Sequence, residues 1–325
     1  MKLPVDLIVR AVRVLITLTR VRATVRIGFV AVLVFGIAGP TLAQMPPPQA
    51  ANAGFVVAQL NQDFTKQTIL SLSCDGGTDR ASTKEVWHMG LWWENPSAPC
   101  SQATLSRDSS IGSQVLDLAW LASQSDTYDA TSISTMARNY QSFTGFRHGY
   151  YEAIYRVTPF NKPGIWPVFW LWDSASVLFA NNPPWQSTNI ANEIDISETN
   201  TTGGVYNWFD SAVHAWGTGA AGFIHEGNLP NFDYTKYHKY GLLWTGNGLW
   251  KAGTVCTYID DVQQGCATTD ATAEASDHFL ILSMGVGCNW QFGNRSCLSG
   301  LSRVDMLVRS VRVWSCAKDA SAAGC

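Results

Sequence analysis

Between Gly149 and Trp314 the chain alternates apolar and polar positions in short runs, each bounded by Gly, Asn, Asp or Pro. The runs are "GYYEAIYRV" (149–157), "GIWPVFWLW" (164–172), "EIDISE" (193–198), "AVHAW" (212–216), "YHKYGLLWT" (237–245), "VCTYIDD" (255–261), "HFLILSMGV" (278–286) and "MLVRSVRVW" (306–314). They are rich in aromatic and β-branched residues, which suit a pleated, half-buried surface. No apolar repeat of 3.6 residues is sustained. Only "VLDLAWLASQ" (115–124) reads equally as a short helix or a strand. Many short strands with turn-rich connections predict an all-β sandwich of two antiparallel sheets.

One strand breaks its own period. In "NEIDISE" the acids fall at Glu193, Asp195 and Glu198, although strand side chains repeat every two residues. Glu193 and Asp195 share a face, and Glu198 belongs to the other unless the strand gains a residue. A β-bulge with Ser197 as the surplus residue would return Glu198 to its companions. Ile194 and Ile196 would then face the opposing sheet. Three carboxylates on one surface suit glycosidic hydrolysis: one attacks the sugar carbon, another protonates the leaving oxygen. The middle one, Asp195, could share a proton with the nucleophile and repel charge on the acid. The bland alternative is a solvated acidic edge.

With these residues in view, the chain resembles glycoside hydrolase family 16. "NEIDISE" is similar to the family's E-x-D-x-x-E signature, in the bulged form of its laminarinases and agarases. The segments "GYYEAIYRV", "GIWPVFWLW", "YHKYGLLWT", "CTYIDD" and "VDMLVRSVRVW" resemble further family strands, in the family's order. The resemblance spans Gly149–Trp314; Ala53–Arg147 shares little with it. It implies a β-jelly-roll with a concave cleft and a retaining enzyme cutting inside β-linked polysaccharides. By motif position Glu193 is the nucleophile, Asp195 its helper and Glu198 the acid/base. Ile154 stands where the family often has Arg, and Trp172-Asp173 replaces a small residue or Leu. These departures bear on the substrate and leave the catalytic acids unchanged.

The chain has 14 tryptophans. Large aromatics dominate cores, and Trp244, Trp250 and Trp314 are expected there. Trp166 and Trp170 match family positions beside the acid strand and are expected to bind sugar rings. Trp290, in "GVGCNWQFG", is a third candidate. His214, on the strand expected beside "EIDISE", would reach substrate or nucleophile. Asp305 matches a family position for a structural calcium, which is the one metal to consider; no cofactor is required.

Charge and processing complete the picture. Residues 1–43 carry six of the 22 basic residues and then an apolar run, Ile27–Gly39, before "PTLAQ". That order is a signal peptide cleaved after Ala43. The run is shorter than the about 20 residues of a spanning helix, although an uncut anchor is the competing reading. The leader holds only one of the 25 acids, so the mature net charge is −8. An acidic chain without a basic cluster is a poor nucleic-acid binder. Residues 44–53, "QMPPPQAANA", read as a Pro-rich linker. Residues 54–316 then form the catalytic domain and 317–325 a tail. All eight cysteines lie beyond the leader and outside any C-x-x-C pair, as in an exported, disulfide-bonded chain. Neighbour pairing, 74–100, 256–266, 288–297 and 316–325, is the simplest of 105 schemes. A hairpin turn at Asp260-Asp261 would join the second pair.

The expectation is a secreted (periplasmic or extracellular) monomer. It would leave the membrane after signal cleavage, and its partner would be a polysaccharide. A β-1,3- or β-1,3/1,4-glucan comes first, and an agar-type galactan or bacterial exopolysaccharide second. A lectin-like module that binds without cutting is the rival class, and it has no use for the intact acid triplet.

Overall fold

A computed structural model describes residues 45–68, 70, 72–74, 87–91, 98–124, 129–137, 143–174, 176, 191–199, 206–216, 218, 220–247, 251–291 and 294–316. The expected signal peptide, the tail 317–325 and Trp250 lie outside them.

Two sheets stack face to face. The first runs β14 (Val262–Thr268), β13 (Thr254–Ile259), β12 (His238–Thr245), β7 (Gly149–Thr158), β16 (Arg303–Cys316), β5 (Ser113–Leu121) and β4 (Ala103–Asp108). In this sheet β1 (Phe55–Asp63) also pairs with β16, along Ser310–Cys316. The second runs β11 (Ala220–Asn228), β10 (Trp208–Trp216), β9 (Ala191–Glu198), β8 (Ile165–Asp173), β15 (His278–Val286), β6 (Ala130–Ser134), β3 (Trp87–Met89) and β2 (Leu72–Ser73). Pairing is antiparallel except between β2 and β3. This is the two-sheet sandwich that the alternation predicts and the jelly-roll that the resemblance implies.

The core fills the space between the sheets. Phe169, Leu171, Ile194 and Ile196 of the second sheet join Tyr155, Tyr240, Val157 and Val308 of the first in one buried cluster. Tyr155 and Tyr240 stack with ring centroids 4.1 Å apart. Each of the eight runs becomes a strand. "VLDLAWLASQ" resolves into the end of β5 and a 3₁₀ turn, Ala122–Gln124, because Val115–Trp120 are buried on both faces. β14, the second arm of the expected hairpin, and β11, absent from the sequence reading, are the polar and Gly/Ala-rich edges. They hold position by close approach: a Cβ on Gly265 of β14 would lie 1.9 Å from the Ile224 carbonyl oxygen of β11.

The Pro-rich stretch departs from expectation. A short helix α1 (Pro48–Asn52) replaces the free linker, with proline at its first turn where no N–H is needed. Ala50 packs with Phe55, Tyr150 and Trp314, and the Gln49 amide donates to the Tyr150 hydroxyl and to Asp261, each at 2.8 Å. Trp244 and Trp314 are buried as expected. Disulfides join Cys74–Cys100, Cys256–Cys266 and Cys288–Cys297. The second closes the β13–β14 hairpin, whose turn residues Asp260 and Asp261 both have left-handed φ, 49° and 68°. The suggested Cys316–Cys325 pair ends outside the described residues.

Candidate active site

The strand β9 carries the bulge. Its partners on β8 run Trp170↔Asp195, then Phe169↔Ser197 and Val168↔Glu198, so Ile196 has no opposite residue. On the other side β10 advances two residues, Asp210 to Ala212, while β9 advances three, Glu198 to Asp195. The surplus on the β8 side is thus Ile196 rather than Ser197. Both residues turn inward: Ile196 enters the core, and the Ser197 hydroxyl lies 2.8 Å from that of Tyr155 on the opposite sheet. Two consecutive inward side chains shift the phase by one. Glu193, Asp195 and Glu198 therefore share the outer face.

Each acid is held by a partner. The Trp216 indole N–H donates to Glu193 Oε2 at 2.5 Å. His214 Nε2 lies 3.2 Å from Asp195 Oδ2. The Trp166 N–H donates to Glu198 Oε1 at 2.7 Å. Asp195 is only 2% exposed, and its other oxygen, Oδ1, has no hydrogen-bond partner among the described residues.

Burial and like charge set the protonation. Burial, then Asp195, pushes Glu193 well above the usual glutamate range, against the Trp216 bond. Burial, then Glu198, raises Asp195 to about 6. Burial, then Glu193, raises Glu198 to about 8, although the Trp166 bond pulls the other way. Crowded carboxylates cannot all ionise together. Near neutrality Glu198 keeps its proton, and the Glu193–Asp195 pair holds another between them. The Asp195 bond raises the His214 imidazole above its ordinary value. One face thus carries a protonated acid beside a pair of mutually repelling carboxyls, an arrangement suited to glycoside hydrolysis.

The sequence profile of Glycosyl hydrolases family 16 matches residues 103–279, which include all three acids. The chain belongs to that family. It is 26% identical over 234 residues to the endo-1,3-1,4-beta-glycanase ExsH of Rhizobium meliloti (strain 1021), across 64% of this chain and 43% of that protein. The chain therefore spans less than half the length of that curated relative. Among solved structures, a family 16 endo-glucanase from Bacteroides ovatus superposes with a TM-score of 0.53 at 19% identity, over 74% of this chain and 98% of its own. A laminarinase from Flavobacterium sp. UMI-01 gives 0.55 at 18% identity, over 79% and 100%. At these identities the structural likeness speaks for the fold.

For this family 16 chain the remaining candidates sort by geometry. Trp166 and Trp170 lie on the acid face but are only 7% and 6% exposed, forming a floor with Val168, Phe279 and Ile281. Trp290 is 40% exposed and stands edge-on to Trp166 at 5.3 Å. Asn289 and Trp290 both take left-handed φ of 58°, an uncommon conformation for a bulky aromatic that tends to mark functional sites. His214 sits beside the acids, but its carboxyl partner is Asp195 rather than the nucleophile candidate. Asp305 is far from an open oxygen cradle. The Arg303 guanidinium bonds Asp305 at 2.5 Å and Asp117 at 2.9 Å, so one cation already bridges both carboxyls. A calcium ion takes six to eight oxygen ligands, and these residues, tied to a cation already, do not fit one.

Sequence reading missed Trp216, which stacks on His214 at 5.1 Å and is 49% exposed. It also missed Phe223 on β11, exposed in the cross-strand row of Asp195 and Ala212. The signal for Trp216 was present: in "WFDSAVHAW" it lies two residues beyond His214 and so shares its face.

Proposed function

We propose that the protein is a secreted, monomeric, retaining endo-hydrolase of a β-linked glucan, either β-1,3- or mixed β-1,3/1,4-linked. Glu193 is the nucleophile, Asp195 its helper and Glu198 the acid/base. The observation that carries this reading is the bulge, which sets a proton-bearing Glu198 beside the Glu193–Asp195 pair on one open face. The substrate class is supported by the endo-1,3-1,4-beta-glycanase relative.

The reaction follows from the geometry. With the shared proton resting on Asp195, ionised Glu193 attacks the anomeric carbon. The glycosidic C–O bond breaks, and Glu198 gives its proton to the departing oxygen. The ionised Glu198 then takes a proton from water, which attacks the same carbon and breaks the bond to Glu193. Two displacements retain the configuration. Aromatic side chains at Trp216, Phe223 and Trp290 offer flat faces for sugar rings along this path.

Incubating purified protein with laminarin, mixed-linkage β-glucan, agar-type galactan and bacterial exopolysaccharides should release oligosaccharides from a β-glucan. Release from a galactan or exopolysaccharide alone would overturn the substrate, and binding without release would favour the lectin reading. Because hydrolysis needs protonated Glu198, kcat/KM should fall as pH rises past about 8. A pH–rate profile flat through that range would refute the acid role.

A further inference from the structure

The bulge in β9 does more than align three acids on one strand. It sets Glu198 directly opposite Asp210 of β10, and β10 in turn pairs Asp210 with Glu226 of β11. A second register slip, between the Ser211↔His225 and Ala212↔Phe223 pairs, brings Glu226 into the same row. Directly opposed residues in an antiparallel pair point to the same side, with Cβ atoms roughly 5 Å apart. Asp210 is thus an acid beside the acid.

Its surroundings are unusual. Asp210 is 5% exposed. Its Oδ2 accepts the Trp208 indole N–H at 2.7 Å, and its buried Oδ1 has no hydrogen-bond partner among the described residues. A half-satisfied buried carboxyl costs stability. The opening exchange has no need of it. We propose that Asp210 is a positioning residue for the reaction proposed above, acting through Glu198: its negative charge, fixed across the strand by Trp208, keeps the proton on the acid.

Burial, opposed by the Trp208 bond and assisted by Glu226, raises Asp210 to about 6, below the value of about 8 for Glu198. Asp210 therefore ionises first, and across the interval between the two it repels charge from Glu198. The groups facing Glu198 are Glu193 and Asp195 on its own strand, Asp210 and His214 on β10, Glu226 on β11, and Trp166 on β8. Tyr234 closes the far side of Asp210, its hydroxyl bonding the Trp208 carbonyl at 2.7 Å. Glu193 and Asp210 raise Glu198; Trp166 lowers it. His214 is committed to Asp195, and the His225 ring packs on Phe209. This role rests on the reading of Glu198 as the acid.

Carboxyl-selective ¹³C NMR titration of the purified protein tests it, with the Glu198 resonance identified by its loss in Glu198→Gln. The Glu198 midpoint should drop by about one pH unit in Asp210→Asn, since a like charge a few ångströms away shifts a carboxyl by that order. The basic limb of the pH–rate profile should drop with it, which a purely structural aspartate would not cause. A midpoint unmoved from wild type overturns the proposal. If Asp210→Asn does not fold, the wild-type curve decides: Glu198 must show a second inflection as Asp210 ionises, and a single-step curve overturns the proposal. Glu198→Gln separates the two levels. If that variant cuts the glycan at the wild-type rate, the acid assignment falls and this role with it. If it is inactive while Asp210→Asn leaves the titration unmoved, only the role of Asp210 falls.

Discussion

Glu193 and Trp216 make the shortest tie between a carboxylate and an exposed aromatic at this site. Glu193→Gln should lower turnover by at least about 10³-fold with the fold kept, since loss of a nucleophile removes a covalent step that no neighbour replaces. Circular dichroism and glycan binding would report the intact fold; near-normal turnover would refute the nucleophile. Trp216→Phe keeps the ring and removes only the N–H. That hydrogen bond favours ionised Glu193. Without it Glu193 ionises less readily, so the acid limb of kcat/KM should move to higher pH while the basic limb stays. A lowered plateau with neither limb moved would place Trp216 in binding alone. The acids were legible in the sequence because three carboxylates in six residues are rare in a chain that is 14% charged. Their partners were not, because a hydrogen bond between β9 and β10 depends on register.

At the level of elements, the second sheet presents the site and the first supports it. One clamp on the supporting sheet ties β4 to β7 and to the entry of β12. Asp108 is bonded by Arg156 Nε at 2.8 Å, by the Tyr237 hydroxyl at 2.6 Å and by the Ser110 backbone N–H at 2.8 Å. Burial would raise the Asp108 carboxyl, but these bonds outweigh it and hold it far below the usual aspartate range. A depressed carboxyl stabilises the fold above its unfolded pKa and loses that contribution as pH falls through the folded one. Asp108→Asn should therefore cost about 3 kcal/mol near neutrality, as when one partner of a buried ion pair is removed. The difference from wild type should shrink in strong acid. Urea denaturation at pH 7 and at pH 3 measures both; an equal deficit at the two pH values would count against the ion pair. Of the ten strands from β7 to β16, eight were readable from alternation and β14 from the hairpin turn at Asp260-Asp261. The edge β11 was not, because its short, Gly- and Ala-rich stretch carries little amphipathic signal. What holds it against β14 is the backbone approach at Gly265, a contact between distant segments.

Across the whole molecule, three disulfides among the described residues staple the sandwich. Cys74–Cys100 closes 26 residues and Cys256–Cys266 closes 10. On loop-closure entropy the longer staple is worth about 3.5 kcal/mol and the shorter about 2.7. The double variant Cys74→Ser/Cys100→Ser should thus lower Tm more than Cys256→Ser/Cys266→Ser, as scanning calorimetry would show; the reverse order would point to strain or residual unfolded structure. The sequence by itself determined the sandwich class, the inward-facing isoleucines, the acid triplet and the hairpin staple. All of these are written in local period, local composition or neighbouring cysteines. Only the tertiary structure decided which residue the bulge absorbs, that His214 serves Asp195, that Arg303 ties Asp305 to Asp117 of β5, that the proline stretch docks as a helix, and that Asp210 stands opposite Glu198. The reason is common to all five: each depends on strand register or on packing between segments far apart in the chain, and a one-residue slip of register, invisible in any single strand, sends every side chain to the other face.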